Sequence, residues 1–214
     1  MTGIGNCLPT GLGSFPHTDP VQACRVVLDC FPEIPFWPQL PNAGERENMY
    51  AQVLSGLPGF VVDGGECYVD TTDGWEGPLR ELYERYVLRE PALEPMAREC
   101  ARGLYALASF AGLERAVAIK GQITGPLTIG LGVNDEQGNP IVRHHELMEG
   151  VVRVLAAKTR WQEQFLRRLN PQTIIFVDEP SMVTYGSGLY GYNRETVTRY
   201  IYEVIGAIEG VSGV

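Results

Sequence analysis

Long apolar runs are missing from this chain. No 18-residue apolar stretch occurs, and Met1 to Pro20 holds no basic segment leading into an apolar core with a cleavage site. A membrane span and a secretory leader are therefore not expected, and the cytoplasm is the expected compartment. Clusters of Lys and Arg are missing too. With 26 acidic against 17 basic side chains and a formal charge of -9, the surface is a poor partner for nucleic acid. Paired cysteine motifs are also lacking. Cys7, Cys24, Cys30, Cys67 and Cys100 form no CxxC pair and have no histidine close by, so reduced, mostly buried thiols are expected rather than a disulfide framework.

What is present is apolar material, 44% of 214 residues, enough for one core within the usual size of a single domain. Strand-like runs alternate with longer helical patterns. Leu12 to Pro16 reads as a short strand end, and Asp19-Pro20 then offers an N-cap acceptor and a first-turn proline to a helix with Ala23, Val26, Val27 and Cys30 on its apolar stripe. Pro35 to Pro38 is a second strand candidate and Glu45 to Leu54 a short helix. Phe60 to Asp63 reads as a third strand, followed by a long polar insertion to Gly77. Helices are expected over Pro78 to Tyr86 and Pro91 to Phe110. Ala116 to Lys120 and Thr173 to Val177 carry the continuous apolar character of strands buried on both faces. Helices from 144 to 169 and from Arg194 to Glu209 follow these strands in turn, and Val211 to Val214 begins another strand.

Such alternation means a βαβ architecture. An open doubly wound sheet fits the length, but no glycine-rich dinucleotide fingerprint follows the first strand. Polar residues gather instead at strand ends: Ser14, Asp63, Lys120 to Thr124, and Asp178 with Glu179. That distribution suits an active site at one barrel mouth.

Asp178 and Glu179 follow five strand-type residues, so a carboxylate there is held on a rigid support. It could bind an ammonium group or orient a base, or the pair could cap the following turn. Gly121 to Pro126 offers glycines, the Gln122 amide and the Thr124 hydroxyl, a turn able to cradle a carboxylate or phosphate or simply to serve the chain. Ser14 is a hydroxyl at a strand end. His17 sits beside it near Asp19, placed for a general base or for a helix contact. His144 and His145 face different directions and do not form the i,i+4 pair of a zinc helix.

Taken together in order and spacing, Gly11-Leu12-Gly13-Ser14-Phe15-Pro16, Glu45-Arg46-Glu47-Asn48-Met49, Lys120-Gly121-Gln122-Ile123-Thr124-Gly125-Pro126 and Asp178-Glu179-Pro180 resemble the catalytic domain of cobalamin-independent methionine synthase. That family lies within the superfamily that includes uroporphyrinogen decarboxylase. The resemblance implies an α/β fold, a partial TIM (β/α)8 barrel of about the first five βα units, with residues 1–214 forming the N-terminal portion of a single barrel domain; a complete barrel needs about 250 residues. It implies an S-methyltransferase in which a zinc-activated homocysteine thiolate attacks a methyl donor, either folate or a corrinoid carried on a separate protein. Asp178 and His17 become the candidate catalytic residues, although the family usually has glutamine where His17 stands. Gly13 and Ser14 would hold the amino-acid carboxylate and Asp178 and Glu45 its amino group, with Gln122, Thr124 and Glu179 as further substrate contacts. Zinc suits the chemistry, because it lowers the thiol pKa. The family's ligands lie beyond its Asp-Glu-Pro segment, so zinc is expected in a full-length protein and not in this chain, which is expected to be inactive alone. An open barrel edge invites self-association. Two alternatives stand: a porphyrin decarboxylase, which would favour an arginine cluster against propionates, and a non-catalytic amino-acid-binding or assembly subunit.

Overall fold

Asp19 and Pro20 start the first helix as their chemistry dictates: the Asp19 carboxylate accepts from the backbone N–H groups of Val21 and Gln22, at 2.8 and 3.4 Å. The computed structural model describes residues 7–72, 74–87, 95–187 and 191–214. In chain order the elements are α1 (Pro20–Cys30), α2 (Met49–Leu54), β1 (Phe60–Asp63), β2 (Glu66–Val69), α3 (Glu76–Val87), α4 (Arg102–Leu107), β3 (Ile119–Thr124), α5 (Pro126–Gly132), β4 (Asn134–Asp135), α6 (His145–Arg167), β5 (Thr173–Asp178), α7 (Arg194–Ile205) and β6 (Val211–Gly213), with short 3-10 turns between them. The architecture is mixed α/β. Two three-stranded sheets, β1-β2-β4 and β3-β5-β6, are present, and no barrel closes among the described residues. None of the described helices is long and apolar enough to cross a membrane.

β3 and β5 run parallel in register from Ile119↔Thr173 to Thr124↔Asp178, and β6 continues the sheet with Ile174↔Val211. On the other side of β3, Phe36 bridges Lys120 and Ser14 bridges Gln39, both parallel. The Lys120 N–H donates to the Pro35 carbonyl at 2.9 Å and the Phe15 N–H to the Gln39 carbonyl at 2.8 Å. Segments around Ser14, Phe36 to Gln39, β3, β5 and β6 therefore stand side by side in chain order, all parallel. A doubly wound sheet reverses its order at a switch point, and no reversal occurs in this series.

Three expectations are corrected. Phe60 to Asp63 is not a member of the parallel series. Gly64 and Gly65, both at positive φ, turn the chain straight back, and β1 pairs antiparallel with β2. The strand expected at Ala116 to Lys120 is displaced toward the C-terminus: the Val117 and Ala118 N–H groups both reach the Glu33 carbonyl, and β3 absorbs Gly121 to Thr124, which sequence alone marks as a turn. The long helix expected over Pro91 to Phe110 begins outside the described residues. Its later part is a 3-10 turn, Arg98–Cys100, and then the short α4, broken at Ala101, whose φ of -144° is not helical. Met96, Cys100 and Ala101 around the break are all buried.

α6 packs on one face of the parallel sheet. Ile119, Leu166 and Ile175 share an apolar cluster with Trp37 and Leu104, while Ile123 and Val177 join Val151, Leu155 and Tyr200. Polar groups are threaded through this layer. The Gln162 side chain accepts from the Trp37 indole at 2.9 Å and donates to the Gln122 carbonyl at 3.0 Å. Gly121 lies directly beneath it, where a Cβ would collide with the Gln162 amide. Next to it, Glu163 accepts from the Thr173 hydroxyl at 2.9 Å and from the N–H groups of Glu209 and Gly210 at 2.7 and 2.6 Å, fixing the approach to β6.

α6 is also clamped to α7. The Glu149 carboxylate takes Arg153 at 2.9 Å and both guanidinium nitrogens of Arg199. Burial alone raises the Glu149 carboxyl, but hydrogen bonds and attraction from the two arginines outweigh it and hold it at about 2, below its ordinary 4.5. Because the folded value is the lower one, the stabilisation is complete above the ordinary value and is lost as pH falls toward the folded value. Glu149→Gln is expected to reduce stability at pH 7 by about 1–2 kcal/mol, discounted for the half-exposed Arg199. The variant's urea midpoint should also fall less than the wild type's between pH 4.5 and pH 2. Parallel acid dependences would remove the clamp from the account.

Candidate functional site

Alternation along β3 divides its side chains between two faces. Gly121 and Ile123 meet α6, so Lys120, Gln122 and Thr124 lie on the opposite face. All three are buried. Lys120 crosses this face: its ammonium donates to the Gly11 carbonyl at 2.6 Å and lies 4.7 Å from the Phe176 ring centre and 5.6 Å from that of Phe36. Burial pushes its pKa down to about 8, and the charge of Asp178 opposes that shift. Lys120 thus ties the segments carrying Gly11 and Phe36 to β3 and β5.

At the C-terminal ends of these segments stand Ser14, Gln39, Thr124 and Asp178. Asp178 closes β5 directly opposite Thr124. Its half-buried carboxylate receives no hydrogen bond among the described residues. Glu179, one residue on, points to the other side. Its carboxylate accepts from the Leu127 N–H at 2.8 Å, the Thr128 N–H at 2.9 Å and the Thr128 hydroxyl at 2.7 Å. This is the capping role that sequence alone leaves open for the pair, taken by one member at the start of α5. Burial raises the Glu179 carboxyl above its ordinary range despite those hydrogen bonds. Gly125 makes the approach feasible, since a Cβ there would overlap the Glu179 carboxyl group. Glu179, expected as a substrate contact, thus has its carboxylate engaged at the start of α5.

The remaining sequence candidates are scattered by degree of engagement. Gly13 has a φ of 101°, a left-handed conformation that favours glycine, and delivers Ser14 to its bridge with Gln39. His17 is half-buried, its ring 5.8 Å from that of Phe15, and its Nδ1 has no hydrogen-bond partner. Glu45 is exposed in a 3-10 turn, its carbonyl accepts from the Asn48 N–H at 3.3 Å, and its carboxylate takes no hydrogen bond among the described residues. Its neighbour Glu47 is the buried one. The Glu47 carboxylate accepts from the Arg102 N–H at 2.7 Å, which starts α4. Gln52 links Glu47 to Gln39, accepting from the Gln39 amide at 2.8 Å.

A cavity of about 220 Å³ opens beside Ser14, with Gln39, Asn48 and Tyr50 among its walls. A larger one of about 630 Å³ shares Asn48 and Tyr50 and extends to Cys67, Tyr68 and Asp135. Asp178 lines neither. Gln39, Asn48 and Tyr50 were not singled out from sequence. Their signal was the polar end of the Pro35 segment and the stretch that begins at Glu45.

Cys24 and Cys100 are buried, but Cys7 and Cys30 are exposed, so the thiols are less uniformly packed than expected, and all five are free. Burial, helped by the charge of Asp19, pushes the Cys24 thiol up to about 12, and burial also raises Cys67 and Cys100. Among the described residues no three His, Cys, Asp or Glu side chains gather as a metal-holding group. Comparison with protein-family models, curated proteins and solved structures finds no match to the chain.

The adjacent carboxylates predict opposite responses. Glu179→Ala leaves the Leu127 and Thr128 donors buried and unpaired and should lower stability by about 2–3 kcal/mol. Asp178→Ala removes no hydrogen bond and should change it by less than about 1 kcal/mol. Urea unfolding of the two variants measures the contrast. A large loss in the Asp178 variant would show that its carboxylate is structural.

Proposed function

We propose that this chain supplies the amino-acid side of a methionine-synthase-like S-methyltransferase site, with homocysteine as the ligand. The observation that carries the reading is the Asp178 carboxylate. Among the described residues it accepts no hydrogen bond at the C-terminal end of a parallel strand, while the carboxylate next to it is fully engaged by backbone and hydroxyl donors. A half-buried carboxylate that accepts no hydrogen bond, and that feels the Lys120 charge without pairing to it, is suited to a primary ammonium.

In this reading the five parallel segments are the opening strands of a (β/α)8 barrel. The unreversed parallel order supports it, as does the gathering of Ser14, Thr124 and Asp178 at one end. Closing such a sheet would bring its first and fourth strands to face each other across the mouth, so Ser14 and Asp178 would address opposite ends of one zwitterion. Lys120 does not neutralise Asp178 by direct pairing, because its ammonium is occupied by the Gly11 carbonyl and two aromatic rings. The residues described here bind and orient the amino acid. The metal and the methyl donor, a folate or a corrinoid on a partner protein, would be supplied from outside them. The exposed edge at Val211 offers the site for self-association.

Calorimetric titration with L-homocysteine and with its des-amino analogue, 4-mercaptobutanoate, tests the role of Asp178. The wild type is expected to favour homocysteine, and Asp178→Asn should weaken homocysteine binding by about 10-fold or more, as for loss of a charged hydrogen bond, while changing the analogue by less than about twofold. Equal losses for the two ligands, or a wild type that does not distinguish them, would overturn the reading.

A further inference from the structure

One buried polar atom on the face that carries Asp178 has no partner. Gln122 is 2% exposed, and two of its hydrogen-bonding groups are committed. Its backbone lies in β3, in register with Phe176 of β5. Its carbonyl accepts from Gln162 at 3.0 Å, and its side-chain Nε2 donates to the Trp37 carbonyl at 2.9 Å. Its side-chain oxygen accepts no hydrogen bond among the described residues. The amide cannot be turned over to mend this, because the Trp37 carbonyl requires a donor and so fixes which end is nitrogen. A buried acceptor left open is disfavoured in a folded protein and calls for a donor. The structure keeps this one open although its surroundings hold the side chain firmly in place.

The position of the atom says what donor it suits. Gln122 pairs with Phe176, so Asp178 lies one strand across and two residues on, about 8 Å between Cα atoms by ordinary strand geometry. Phe176 alternates with Ile175 and Val177, which pack toward α6. Its ring therefore lies on the same face as Gln122, as its contact with Lys120 also shows. Two acceptors with no donors of their own, one neutral and one carboxylate, thus share a face with an aromatic floor. An ammonium group has three N–H donors and can satisfy both. A thiol, carboxylate or methyl group cannot.

We propose that Gln122 is a ligand-reading residue whose side-chain oxygen accepts a hydrogen bond from the ammonium group of a primary-amine ligand seated at Asp178. The inference rests on the amino-acid reading of the site and adds to it a second, neutral acceptor. It makes the pair selective for an N–H donor of that shape over a bare cation, since a metal or sodium ion gains little from a single amide oxygen beside one carboxylate.

The test reads the Gln122 side-chain amide protons by NMR in the intact wild-type chain, with the des-amino analogue, L-homocysteine and n-propylammonium chloride as probes. Homocysteine is expected to shift these protons and the analogue to leave them in place. In calorimetry, Gln122→Met should lower the homocysteine-to-analogue affinity ratio by roughly 5-fold or more, near the loss expected for one hydrogen bond. Equal weakening of both ligands would mean that Gln122 is structural and would overturn the proposal. A shift with propylammonium without homocysteine binding would sink the homocysteine reading and leave Gln122 as the ammonium acceptor. Amide protons unmoved by either amine at saturation would overturn the proposal on the wild type alone, and would assign the open oxygen to a buried water.

Discussion

A single buried glutamine on α6 determines how the sheet presents its other face. Gln162 reaches across the apolar layer to the Trp37 indole and to the Gln122 carbonyl, and polar groups placed this deep must be paired. Satisfying them sets the height of α6 over the sheet, requires glycine at position 121, and locks the segment bearing Trp37 beside β3. Glu163 extends the same arrangement to β5 and the approach to β6 through Thr173, Glu209 and Gly210. Two consecutive helical residues thereby hold three of the parallel segments and the approach to a fourth. The apolar clusters around them supply most of the driving force, but apolar contact alone would not select this register.

Function follows from which polar groups this framework uses and which it leaves. Along the last residues of β5 the chain alternates, so consecutive carboxylates go to opposite sides. Glu179 is drawn into α5 and satisfied three times over, whereas Asp178 faces the other way and accepts no hydrogen bond among the described residues. The same division recurs on β3, where the Gln122 nitrogen is used and its oxygen is not. Lys120 closes the lower part of this face by tying Gly11, Phe36 and Phe176 together.

Much of this was legible in the chain itself. Asp19-Pro20 marks the start of α1, the apolar stripe from Leu147 to Phe165 marks α6, and Thr173 to Val177 declares a doubly buried strand, because each depends on local chemistry or simple periodicity. Other features depend on partners far along the sequence. Gly121 to Thr124 carries turn-forming glycine and polar side chains, and only burial beneath Gln162 makes it a strand. Phe60 to Asp63 has the composition of a central strand, yet the Gly64-Gly65 turn returns it on itself. Nothing local distinguishes Glu45 from Glu47 or Asp178 from Glu179. In each pair one carboxylate is taken by a helix start more than 50 residues away in sequence, and only the tertiary structure tells which.

The hub at Gln162 is most directly tested by hydrogen exchange at the Trp37 indole N–H, followed by NMR beside the backbone amides of β3. If that bond holds the sheet to α6, the indole proton exchanges only through global unfolding, with the same protection as Ile119 to Ile123. An indole proton that exchanges at loop rates while those strand amides stay protected would contradict the account.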